Sequence, residues 1–258
     1  MRKIIYIVLI IPVVYLLVVP GYLSATINSK LCGGVEIVIK DSSDYHFVTK
    51  KQLLNIAYNA SGKILGKPVR EIPVKEIENR ISELKELKTA EVYMDVEGIL
   101  HVFVDQRNPI LRIMPDDGGD YFMDEEGVVI RRRNLYTPRL HIAGGNITVS
   151  SKMLSGVSVL DTSIKHSILK DIFYLVNHIN GDDFWSAQID QIYVDGNNEI
   201  DLIPRVGNHK IRLGTVENLE GKLRNLETFY DDVLPEVGWN KYSLINLEYK
   251  DQIVCKMR

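Results

Sequence analysis

The pattern of hydrophobic and polar positions changes character twice along this chain, and its first stretch does not alternate at all. From Ile4 to Leu23, fourteen of twenty residues are Ile, Leu or Val, and no charge appears between Lys3 and Lys30. Twenty residues at helical rise span roughly 30 Å, the thickness of a bilayer's hydrocarbon core. At roughly −0.3 to −0.6 kcal/mol each, those aliphatic residues favour insertion by about 4 to 8 kcal/mol. Pro12, Pro20 and Gly21 are breakers that lipid-embedded helices tolerate. The pattern predicts one transmembrane helix over 4–23. A cleavable signal peptide would have a shorter apolar core and small residues at −3 and −1 of its cut. Cutting after Ser24 or Ala25 would instead put Tyr22 or Leu23 at −3.

Beyond a polar linker over 24–34, ending in Gly33-Gly34, the pattern becomes regular. Val35 to Ile39 is β-branched and alternating, which predicts a strand. Thr49 caps a helix with Leu53, Leu54, Ile56 and Ala57 on one side, and Gly62 ends it. A second helix starts near Pro73, with Val74, Ile77, Ile81 and Leu84 at three- and four-residue spacing. Strands at Ala90 to Met94 and Ile99 to Val104 follow, joined by a turn over Asp95 to Gly98. The predicted domain, 35–105, has the order strand, helix, helix, strand, strand.

From 106 to 258 short strands and Gly- or Asp-rich turns dominate. Tyr121 to Met123 and Val128 to Ile130 flank a hairpin turn. A helix carries the apolar stripe Ile168, Leu169, Ile172, Phe173, Val176 and Ile179 and stops at Asn180-Gly181. A meander over Ile189 to Val194, Ile200 to Val206 and Lys210 to Gly214 leads into a helix after Thr215. That helix turns Leu219, Leu223, Leu226, Phe229, Tyr230 and Val233 inward and ends at Pro235. The chain closes with a strand, Ser243 to Tyr249, a turn at Lys250-Asp251, and a last strand starting at Gln252. The fold class predicted for the exported body is α+β.

Charge places this body. Arg2 and Lys3 precede the span, and Lys and Arg are retained on the cytoplasmic side. A three-residue tail, 1–3, therefore stays inside and about 230 residues lie outside. Without Arg2 and Lys3, 29 basic residues face 34 acidic ones, a net charge near −5. Such a surface attracts neither nucleic acid nor anionic lipid through its overall field. Arg131-Arg132-Arg133 reads as a solvated strand edge. Cys32 and Cys255 stand at opposite ends, and nothing in the sequence requires a bridge, so packing must carry the fold.

Candidate chemistry is sparse. Six histidines are scattered with no i,i+4 pair to put two imidazoles on one helix face. No nucleophile elbow, Walker loop or dinucleotide fingerprint occurs. Asp195 to Glu199 lacks the Gly of a calcium loop, since Ile200 holds the sixth position. It reads as a hairpin turn. Asp116-Asp117 and Asp124-Glu125-Glu126 read as solvated turns, and Trp185 and Trp239 as core or loop anchors. No catalytic group, metal site or cofactor is expected.

The C-terminal hairpin suggests binding instead. Ile245, Leu247 and Tyr249 point one way from their strand, and Gln252, Ile253, Val254, Cys255 and Lys256 return beside it. A strand that ends the chain tends to lie at a sheet edge with unpaired N–H and C=O groups. Charge near the tip is limited to Lys256 and Arg258. The edge is open to β-augmentation, although an edge that pairs with nothing is the bland reading of the same residues.

In layout this chain resembles the FtsQ/DivIB family of bacterial cell-division proteins: an anchor, a POTRA-like βααββ domain and a mixed β domain with two or more helices. The junction Val102 to Ile110, with Arg107 and Pro109, is similar to that family's polar-Arg-x-Pro turn. Tyr121 to Val129 resembles its aromatic-Asp-x-x-Gly hairpin, and Val206 to Leu226, with Ile211-Arg212-Leu213-Gly214, its strand-Leu-Gly-helix segment. Each motif alone is weak, but order and spacing agree over essentially the whole chain.

The resemblance implies a non-enzymatic scaffold, single-pass in the inner membrane at the division septum. It implies that the last hairpin docks FtsB, that FtsL and other division proteins join, and that septal peptidoglycan synthesis is regulated. Two other classes stand beside it. One is a POTRA-bearing secretion or assembly protein, which would normally continue into a long array of membrane strands. The other is an anchored extracytoplasmic hydrolase, which needs converging nucleophile or metal residues.

Overall fold

The computed structural model describes Tyr15 and residues 30–40, 47–133, 138–250 and 252–258. The expected span over 4–23, Tyr15 apart, lies outside the described residues. Among the described residues no helix is long and apolar enough to cross a membrane. The chain divides into two units at Gln106 and Arg107.

The first unit contains β1 (Gly34–Lys40), α1 (Lys50–Ser61), α2 (Val74–Ser82), β2 (Leu87–Met94) and β3 (Ile99–Gln106). Each element starts where its local chemistry allows. Thr49 accepts the Gln52 amide at 3.2 Å and caps α1, while Gly62 takes a φ of +70° just past its end. The strands order as β1-β3-β2, with β1 parallel and β2 antiparallel to the central β3. Leu53, Ala57, Ile77 and Ile81 of the helices bury against Leu100, Val102 and Val104. Gln106 closes this core from the last strand: its Oε1 accepts the Phe47 and Val48 amides at 3.0 and 3.1 Å.

The second unit contains a nine-stranded sheet among its described residues. Its strands are β4 (Pro109–Pro115), β5 (Tyr121–Asp124), β6 (Val129–Arg131), β7 (His141–Gly145), β8 (Ile189–Val194), β9 (Ile200–Pro204), β10 (Lys210–Gly214), β11 (Tyr242–Asn246) and β12 (Val254–Met257). Spatial order is β12-β11-β10-β9-β8-β7-β4-β5-β6. Parallel neighbours need a long crossover; β5 and β6 supply it between β4 and β7, and helices supply it for the other two pairs. α3 (Ser151–Leu154), α4 (Ile168–Asn180) and α5 (Asp183–Gln188) lie between β7 and β8; α6 (Leu219–Asp232) and α7 (Leu234–Val237) lie between β10 and β11. Leu169, Ile172 and Val176 of α4, and Leu223, Leu226 and Tyr230 of α6, are buried in the core of this unit.

Four details depart from the sequence reading. Pro235 does not end a helix but sits in the first turn of α7, where its missing N–H costs nothing. β4 and β7 are strands although one begins at a proline and the other ends in two glycines. Arg132 is not simply solvated: with Arg112 it holds Asp120, at 2.8 Å from each. Asp124 is not a solvated turn residue, being 1% exposed. Its carboxylate accepts Arg107 Nη1 at 2.6 Å and the Val128 amide at 2.7 Å.

Candidate functional site

β12 lies at one end of the nine-stranded sheet and, among the described residues, pairs with β11 alone. Backbone direction along it follows from its neighbours. The Leu247 amide donates to Arg212 of β10, so Ile245 and Leu247 face β10 while Leu244 and Asn246 face β12. Leu244 and Asn246 stand opposite Lys256 and Val254. Alternation then turns the backbone groups of Cys255 and the Met257 amide toward the open edge, whereas the Met257 carbonyl is met from β11. A bulge at Ser243 interrupts β11, and the Ser243 hydroxyl lies 3.2 Å from both the Lys256 and Met257 carbonyl oxygens.

The structure separates the residues that the sequence grouped here. Val254, Cys255 and Lys256 are in the ladder; Gln252 and Ile253 precede it, and Ile253 packs half-buried against the core. Leu247 lies just past β11, buried at 3% exposure, whereas Tyr249 is 51% exposed in the connecting segment. Val254 and Met257 present apolar side chains to solvent. Burial pushes the Cys255 thiol above its ordinary pKa, and both Cys255 and Cys32 are free. Arg258 pins the tip: its amide donates to Lys241 and its guanidinium to the Asn208 carbonyl at 2.7 Å. The bonding roles of Ser243 and Arg258 were not legible in the sequence, because their partners lie 13 and 50 residues away.

A cavity of about 560 Å³ opens beside this hairpin, between α6 and the segment joining β11 to β12. Lys222, Asn225, Leu247, Tyr249 and Ile253 are among its walls. Lys222 bonds the Leu213 and Thr215 carbonyls at 2.8 Å each, and burial holds its ammonium below the ordinary lysine pKa. It is committed to closing the end of β10 rather than to proton transfer.

Elsewhere the ionisable groups hold structure. Arg107 and Pro109, the junction pair, meet Asp124 from two sides, since Pro109 begins β4 opposite it. Asp195 accepts the Asn197 and Glu199 amides at 2.8 and 3.0 Å and so closes the β8–β9 turn. Trp185 is buried at 2% exposure and joins Tyr230 in an aromatic cluster. His209 bonds the Tyr230 hydroxyl at 2.7 Å, and burial lowers its pKa. Among the described residues no group of His, Cys, Asp or Glu is placed to hold a metal ion.

A family model described as FtsQ/DivIB, C-terminal related, matches residues 108–256, more than half of the chain. A second, described as a POTRA-like domain, matches residues 30–105. A search of curated proteins finds no match.

Proposed function

Because the chain belongs to the FtsQ/DivIB family, we propose that it is a non-enzymatic scaffold of the bacterial division machinery. One N-terminal helix holds it in the cytoplasmic membrane, with residues 24–258 outside and concentrated at the septum. β12 docks FtsB by strand addition, FtsL assembles with it, and the complex tunes septal peptidoglycan synthesis. Residues 35–105 contact further membrane proteins of the same machinery.

The observation that carries this reading is the edge position of β12, with the backbone groups of Cys255 and the Met257 amide directed away from β11. Backbone pairing there would supply affinity, and the alternate side chains, exposed Val254 and Lys256, would supply selectivity. Proline tests it at single positions, because it removes one donor and is tolerated at a sheet edge. Met257 is 67% exposed, so Met257→Pro leaves the core untouched. Losing one backbone hydrogen bond predicts roughly 3- to 10-fold weaker FtsB binding with an unchanged unfolding midpoint. Cys255→Pro acts at the middle of the edge and should weaken binding further. Co-purification of tagged full chain with FtsB reads both; full capture by folded Met257→Pro and Cys255→Pro chains would sink the edge-docking reading.

A further inference from the structure

The three-stranded sheet of the first unit buries one face under α1 and α2, and its other face carries an organised cluster of rings and carboxylates. Register sets the outward side chains in cross-strand rows. Glu36, His101 and Tyr93 form one row, and Val38, Phe103 and Glu91 the next. Tyr93 is 46% exposed, Val38 38% and Phe103 36%, which is unusual for an open face that could have been polar throughout. The Tyr93, His101 and Phe103 rings lie within 20° of parallel, with the closest centroids, Tyr93 and His101, 5.1 Å apart. His101 is held in that stack by Asp95, 2.8 Å from its Nε2, while its Nδ1 lies 3.2 Å from Glu36 without a hydrogen bond. Asp95 is itself fixed by the Ile99 amide at 2.8 Å, and that bond, then His101, holds its carboxyl below the ordinary range.

Charge completes the description. Glu36, Glu91, Asp95 and Asp105 surround the rings, and Lys40 on the same face is taken by Asp105 at 3.2 Å. Ring faces are themselves electronegative, so rings and carboxylates attract the same ligand, a cation. A guanidinium suits both, because it stacks on rings and forks onto carboxylates. An acidic face of this kind repels anionic lipid and nucleic acid. Successive rows are two residues apart, roughly 6.6–6.8 Å, which is also the spacing of alternate side chains along an extended chain.

We propose that this face docks an extended segment of a partner protein with arginines at alternate positions. One arginine stacks on Tyr93 beside Asp95, and the next on Phe103 beside Glu91. The inference rests on the scaffold reading for the identity of that partner, but the surface is tested without it.

The probe is a fluorescent peptide with three arginines separated by single glycines, titrated by anisotropy into the full chain in zwitterionic detergent. Its twin carries citrulline, which keeps the shape and removes the charge. The arginine peptide should bind at least roughly tenfold tighter than its twin and weaken with added salt. Tyr93→Ser with Phe103→Ser should cost roughly fivefold or more, at two to five per ring. Glu91→Lys, an exposed change that removes no ring, should weaken binding in the same direction and guards against misfolding of the double variant. Equal binding of both peptides, or unchanged binding in Glu91→Lys and a folded double variant, overturns the proposal. So does loss of self-association in the double variant without loss of peptide, which would assign the face to a second copy. Met257→Pro should bind the peptide normally. Peptide binding by a chain that never captures FtsB would overturn the scaffold reading and leave this one standing.

Discussion

Asp124 belongs to a hairpin turn, where carboxylates ordinarily face water, yet it is 1% exposed. Burial pushes its pKa above the ordinary 3.8, and Arg107 with the Val128 and Glu126 amides pulls the other way without winning. For an acid with a raised folded pKa, the folded state holds the proton longer. Its contribution to stability is therefore full below 3.8 and is lost as pH rises through the raised value. Removing Arg107 raises that value further. Arg107→Met should therefore cost least below pH 3.8, progressively more as pH rises, and about 3 kcal/mol at neutral pH, where a buried carboxylate loses its partner. Urea unfolding at several pH values checks this, and a deficit that shrinks as pH rises would contradict it. The sequence pointed to Arg107 through its Arg-x-Pro context but treated Asp124 as solvated. Nothing local marks Asp124 as buried, because its cation lies 17 residues away.

Elements with a strong period were legible in the sequence, and elements without one were not. α1, α2, α4 and β1 to β3 match their predicted spans closely because capping residues and apolar spacing agree within each segment. β7 was invisible: His141-Ile142-Ala143-Gly144-Gly145 is short, weakly apolar and ends in two glycines. Those glycines have a structural reason. Gly145 has a φ of +100°, and a Cβ there would stand 2.1 Å from the Val194 carbonyl oxygen of β8. Gly145→Ala should therefore destabilise the second unit, with roughly 1–3 kcal/mol from the backbone conformation alone and more from the clash. A thermal melt of the variant at wild-type midpoint would refute it. α3 and α5, four and six residues long, are too short to show a helical period. Pairing was the least legible property, since β4–β7–β8 and β10–β11 run parallel between segments far apart in the chain. The last hairpin illustrates both limits: its existence followed from local alternation, but β12 starts at Val254 rather than Gln252.

At the scale of the whole molecule, the proposed membrane-anchored scaffold has its orientation decided by charge distribution before any docking surface matters. The formal net charge is −3, yet the cations flanking the apolar run of 4–23 on its N-terminal side are only Arg2 and Lys3. On the other side the next charge is Lys30, and Glu36 follows soon after. Orientation is set by Lys and Arg close to the span, so two residues at one end oppose a single one at the other. That balance is narrow. Replacing Arg2 and Lys3 by Ser and placing two lysines directly after Leu23 reverses it to none against three. The expected outcome is loss of export for the body, read by alkaline phosphatase fused to the C-terminus, which is active only outside the cytoplasm. The wild-type fusion should be active and the reversed one should lose most of its activity, while immunoblotting shows equal amounts of chain. Both proposed docking surfaces, the β12 edge and the acidic ring face, would then be stranded on the wrong side. Retained phosphatase activity in the reversed fusion would mean that the apolar run does not act as an orienting anchor, and the membrane-scaffold reading would fall with it.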